Sequence, residues 1–105
     1  MARQFLENKG HQILVANFRS GAKEIDLIST VNNLLVFTEI KTRSQYLFGF
    51  PEEAVTLAKQ LLLKAAAEDF QNRHPQYQHI RFDVISILLQ GDEVKEIIHF
   101  EDAFY

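Results

Sequence analysis

Apolar and polar positions along the chain change period several times, and each change marks an element. Residues 2–9 read as a short helix, with Gly10 placed to end it in the left-handed conformation. Gln12 to Phe18 alternates, Ile13 and Val15 against Leu14 and Ala16, which predicts a strand. Ser20-Gly21 is a turn signal. Lys23 to Thr30 and Leu34 to Thr42 read as two further strands. Asn32-Asn33 lies between them, and asparagine tolerates the positive φ that a two-residue hairpin turn needs. Arg43 to Phe50 reads as a loop carrying Tyr46, Phe48 and Phe50. Pro51 opens a helix predicted to run to about Asn72, with Glu52 and Glu53 in its first turn. Val55, Ala58, Leu62, Ala66 and Phe70 make its apolar stripe, and Thr56, Gln60, Lys64 and Glu68 a polar one. His74-Pro75 stops it. Ile80 to Leu89 and Glu93 to Phe100 are strands around a Gln90-Gly91-Asp92 turn.

The order is therefore α-β-β-β-α-β-β. A helix between the third and fourth strands is long enough for a crossover, which makes those strands parallel. The expected architecture is α/β, a mixed sheet flanked by helices, in one domain spanning residues 1–105. No repeat or low-complexity tract interrupts it.

Composition narrows the function. The chain has no cysteine, which excludes disulfides and thiolate metal sites and favours the cytoplasm. No apolar run approaches the ~18 residues of a membrane helix. The formal net charge is −3, which by itself argues against a protein that coats nucleic acid. The distribution says otherwise. Residues 1–50 carry six basic and four acidic side chains, and residues 51–105 five basic and ten acidic. Three of the first-half acids are Glu24, Asp26 and Glu39.

A two-residue Asn32-Asn33 turn sets the cross-strand register. Asp26 then faces Glu39, and Glu24 faces Lys41, all on one face. Opposed Cα atoms are roughly 4.5–5.5 Å apart, so four ionisable groups converge. Three carboxylates and one ammonium leave an excess of negative charge, which a divalent cation would offset. An oxygen-only donor set favours Mg²⁺ or Mn²⁺. Lys41 is then free to hold a phosphate oxygen or a water, the arrangement for metal-assisted hydrolysis of a phosphodiester. The competing reading is a set of cross-strand ion pairs that only steady the hairpin.

These residues resemble a known family. Asp26 followed after twelve residues by Glu39-Ile40-Lys41 is similar to the PD-(D/E)xK nuclease signature of the restriction-endonuclease-like fold. Asn17-x-Arg19, Glu24-Ile25-Asp26-Leu27-Ile28, Val36-Phe37-Thr38-Glu39-Ile40-Lys41-x-Arg43, Arg81-Phe82-Asp83-Val84 and Asp102-Ala103-Phe104 together resemble the YraN-like family. That family is similar to archaeal Holliday junction resolvases. The resemblance covers nearly the whole chain and implies an αβββαβ core. It also implies a metal-dependent endonuclease acting on structured or branched DNA. By it, Asp26 and Glu39 are metal ligands and Lys41 the catalytic lysine, with Glu24 a neighbour of less defined role.

Two features depart from the pattern. Lys23 stands where the family usually has glycine, and related nucleases carry an acid upstream of the position that Ala2 matches. The alternative is thus a nucleic-acid-binding module of the same fold without turnover. A protein-interaction domain using the acidic second half is a third reading.

Other residues carry weaker expectations. Lys59 and Gln60 are accessory candidates on the crossover helix, against the simpler reading of a solvated stripe. Arg19 and Arg43 are candidates for phosphate contact. The loop aromatics could stack on bases but more simply pack on the core. Arg81 and Asp83 are expected to pair. His11, His74, His79 and His99 lack ligand spacing and are expected at the surface. An enzyme of this size needs two copies to cut both strands, so a homodimer is expected.

Overall fold

The computed structural model describes residues 1–21, 23–43 and 55–104. Its elements run α1 (Ala2–Asn8), β1 (Gln12–Ser20), β2 (Lys23–Val31), β3 (Leu34–Arg43), α2 (Leu57–Arg73), β4 (His79–Gln90) and β5 (Glu93–Phe104). The five strands form one sheet in chain order, antiparallel except where β3 runs parallel to β4. This is the predicted mixed α/β arrangement, and it contains the αβββαβ order of the restriction-endonuclease-like core. No described helix is long and apolar enough to cross a membrane.

Local chemistry sets the joints. Gly10 sits at φ 92°, and the amides of Gly10 and His11 bond the carbonyls of Glu7 and Leu6 at 3.0 Å, which is a Schellman cap. Asn32 and Asn33 both take positive φ, 49° and 65°, the mirror-image turn that matches strand twist. The β2–β3 ladder accordingly pairs Val31 with Leu34 and runs to Leu27 with Thr38, the register expected from the sequence.

Alternate residues of the central strands are buried on opposite faces. Leu35, Phe37, Phe82 and Val84 pack beneath Leu63, Ala66, Ala67 and Phe70 of α2. Ala2 and Leu6 of α1 cover the other face with Leu27, Ile85 and Ile87. Strands β3 and β4 thus read as near-continuous apolar runs because both faces are covered.

The helix differs from expectation in start and phase. It begins at Leu57, where the Thr56 hydroxyl accepts the Lys59 amide at 3.2 Å. The predicted start at Pro51, the acids Glu52 and Glu53, and the aromatics Tyr46, Phe48 and Phe50 lie outside the described residues. Ala58 and Leu62, placed in the apolar stripe, are exposed, Leu62 by 50%. A row of residues spaced by four advances about 40° per step, so it winds out of the buried face within three steps. Leu63 and Ala67 complete the true stripe instead.

Candidate functional site

The antiparallel pairing of β2 and β3 stops short of Asp26, and the strand interior changes character there. Ile25 packs with Ile28 on the α2 side, while Leu27 packs on the α1 side. Residues two apart on a regular strand share a face, so the alternation breaks at Asp26. The neighbouring strand explains it: β1 pairs Ala16 with Leu27 and Phe18 with Ile25, and Asn17 between them adopts φ 56°. Asparagine supports that left-handed kink at low cost. With the ladder open, Oδ2 of Asp26 accepts the Ile40 amide at 2.8 Å. One carboxylate oxygen thus replaces a ladder carbonyl and fixes Asp26 against the Glu39-Ile40-Lys41 segment.

Glu39 lies on the α2 side and is only 6% exposed. Two ammonium groups reach its Oε1: Lys59 Nζ at 2.7 Å and Lys41 Nζ at 3.6 Å. Lys59 comes from the first turn of α2, held there by the Thr56 cap. Burial, with the nearby Lys59 ammonium, pushes the Lys41 amine below its ordinary value, against the pull of Glu39. The Lys59 amine moves the other way, raised by its hydrogen bond to Glu39 despite partial burial. The two lysines are therefore inequivalent: Glu39 stabilises the Lys59 ammonium, while burial disfavours that of Lys41.

The remaining expected residues divide. Glu24 pairs with Arg19 across β1–β2, Oε2 to Nη2 at 3.0 Å, and its charge is taken up there. Gln60 donates Nε2 to the Val55 carbonyl at 3.0 Å, bracing the start of α2. Arg43 ends β3, two residues beyond Lys41, half-buried. The structure thus brings together Asp26, Glu39, Lys41 and Lys59. Among the described residues no three His, Asp or Glu side chains gather as a ready metal cluster. Asp26 takes the Ile40 amide through Oδ2, and Glu39 takes Lys59 through Oε1. Two carboxylate oxygens on adjacent strands suit a hard cation that keeps most of its shell as water.

A second ionic cluster lies on the opposite face. Asp83 is fully buried and accepts Arg81 Nε and Nη2 at 2.7 and 2.8 Å, His99 Nε2 at 2.6 Å and the Asp102 amide at 3.1 Å. Burial pushes its carboxyl up, but these hydrogen bonds outweigh burial and hold it below the ordinary carboxylate value. Lys9 Nζ donates to His99 Nδ1 at 2.7 Å. An ammonium only donates, so Nε2 of His99 carries the ring proton that Asp83 receives. Arg81 and Asp83 pair as expected, but His11 and His99 are not surface residues. His11 is 6% exposed and bonds Ser29 Oγ at 2.8 Å. Both rings are covered because α1 folds back over this face, with Phe5 set edge-on to His99 at 6.1 Å.

Comparison with other proteins places the chain. The pattern of the Uncharacterised protein family UPF0102 matches residues 1–87, a span that includes Asp26, Glu39, Lys41, Lys59 and Asp83. A UPF0102 protein of Natranaerobius thermophilus is 49% identical, over 99% of this chain and 90% of the relative. One from Chloroherpeton thalassium is 45% identical, over 99% and 87%. One from Alkaliphilus oremlandii is 40% identical, over 99% and 91%. With a match this extensive, the chain belongs to the UPF0102 family.

Proposed function

We propose that this protein is a metal-dependent endonuclease that hydrolyses phosphodiester bonds in structured or branched DNA. The observation that carries the reading is the opening of the β2–β3 ladder, where Asp26 is tied to the Ile40 amide beside Glu39 and Lys41. Asp26 and Glu39 would hold Mg²⁺ or Mn²⁺. Such an ion, when bound, supplies charge neutralisation at the phosphate and a lower pKa for water.

The chain's own residues do the rest. The Ile40 amide holds Asp26 in one rotamer, so the carboxylate is ordered before any ligand arrives. Lys41, beside Glu39, would orient the attacking water or hold a phosphate oxygen. Arg43, and Arg19 with the donors its Glu24 pair leaves over, would contact backbone phosphates. A two-fold dimer would set two such sites for cutting both strands.

The test is cleavage of four-way junction, duplex and single-stranded DNA in Mg²⁺ and in Mn²⁺. Cleavage is expected, with Asp26→Asn and Lys41→Met each lowering the rate at least 100-fold while the fold is retained. Absence of both cleavage and Mn²⁺ binding by the intact protein overturns the reading. A second reading, DNA binding without turnover, draws on Lys59, which already neutralises Glu39. Binding that weakens with salt, without cleavage in either metal, selects it.

A further inference from the structure

The charges at the site balance without a metal. Asp26 and Glu39 carry two negative charges, and Lys41 and Lys59 two positive ones. Glu24, counted from sequence as a third uncompensated acid, is held by Arg19 at 3.0 Å. The negative excess that would draw a divalent ion is therefore missing, and the group that removes it is Lys59. Its ammonium sits 2.7 Å from Glu39 Oε1, closer than Lys41.

We infer that Lys59 is the resident counter-ion of Glu39, that a divalent cation binds by displacing its ammonium from Oε1, and that the displaced ammonium then serves the phosphate. The inference rests on the nuclease reading and adds an order of events to it. A doubly charged ion held by Glu39 would share that carboxylate with the ammonium, and like charges so close repel strongly in a half-buried site. Of the two lysines, Lys59 is the one able to leave. Its side chain is 41% exposed, whereas that of Lys41 is 21% exposed. Lys41 also belongs to a sheet strand, while Lys59 rises from the first turn of a helix.

The displaced ammonium has somewhere to go. Lys59 also lines an open groove of about 430 Å³ shared with Lys23, Glu24, Thr56, Ala58 and Leu62. Swung away from Glu39, Nζ lies on that wall in company with Lys23. Lys23 and a swung-out Lys59, lining one groove, would recognise an anionic oxygen, here a backbone phosphate next to the one cleaved. Metal and DNA would then bind with positive coupling, because the ion releases the cation that the DNA uses.

Mn²⁺ titration by calorimetry on the full chain without DNA tests the inference, using wild type, Lys59→Met and Lys59→Gln. Removing the competing ammonium is expected to tighten Mn²⁺ binding at least fivefold in both variants. In the wild-type protein, the Lys59 Nζ resonance, slowed in exchange by its bond to Glu39, should lose that protection when Mg²⁺ is added. Equal Mn²⁺ affinities across the three proteins, or an unmoved Lys59 resonance at saturating Mg²⁺, overturn the inference and leave the nuclease reading standing. Failure of all three to bind metal overturns that reading and the inference with it.

Discussion

Asp83 shows how much one residue can be asked to do. A carboxylate with no exposed surface is costly to ionise, and this one stays ionised because four donors converge on it. Removing its charge strands Arg81 and loosens His99. Asp83→Asn is expected to cost roughly 3–5 kcal/mol, the usual penalty for breaking a buried pair, read as a lower urea midpoint at unchanged slope. His11 carries a pH dependence. Burial first, then the nearby His99, lowers its pKa, so the unfolded chain binds the proton more readily than the folded one. The stability this provides is present above the ordinary imidazole value of about 6.5 and is lost as pH falls through the folded pKa. Melting temperature should therefore drop from pH 7.5 to 5.5, and His11→Asn should flatten that slope. An identical slope in the variant would remove His11 from the account. Neither histidine was legible as buried in the sequence: His99 is covered by α1, distant in the chain from β5, and His11 packs against His99 across the same distance. Asp26, Glu39 and Lys41 were legible as neighbours because one local turn brings β2 and β3 side by side, but the opening of the ladder at Asp26 was not.

Elements set how far such reading reaches. The hairpin register followed from Asn32-Asn33, whose two left-handed residues leave no choice of loop length. Asn33→Ala should lower stability by about 1 kcal/mol, since a Cβ-bearing residue without a local hydrogen-bonding group pays the left-handed penalty, while Asn33→Gly should not. Chemical denaturation of the two variants side by side checks this. The crossover helix was readable as an element, but its rotation was not. Leu62 and Leu63 are equally apolar, and only packing against Phe37 and Val84 decides which one is buried. That rotation also decides whether Lys59 or a neighbour reaches Glu39, so its place in the site was legible only as one alternative. Thr56 fixes the start of the helix. Thr56→Ala should cost about 1 kcal/mol. It should also weaken the Lys59–Glu39 contact by fraying the turn that carries it, seen as faster exchange at Lys59 Nζ.

At the scale of the molecule, the net charge of −3 conceals a division across the sheet. Arg19, Lys23, Lys41, Arg43 and Lys59 belong to the β1–β2–β3 side and the start of α2. Glu93, Glu96, Glu101 and Asp102 belong to β5, the edge strand two places beyond β3. Acids on a far edge are screened from a ligand at β3 over roughly a Debye length, ~8–10 Å in ordinary buffer, which is about two strand spacings. A DNA backbone laid across the basic side would thus respond to local cations and little to the overall sign. If Arg19, Lys23, Arg43 and Lys59 each meet a phosphate, binding should fall with a log–log salt slope of roughly −3.6, about 150-fold from 50 to 200 mM. Lys23→Gln should make that slope shallower by about one. Glu93→Gln with Glu96→Gln should leave the slope unchanged and alter affinity by no more than about twofold, because those carboxylates contact no phosphate in this arrangement. Fluorescence anisotropy of a labelled junction across that salt range measures all three. A flat salt response in the wild-type protein would place DNA somewhere other than this basic side, or nowhere on the molecule.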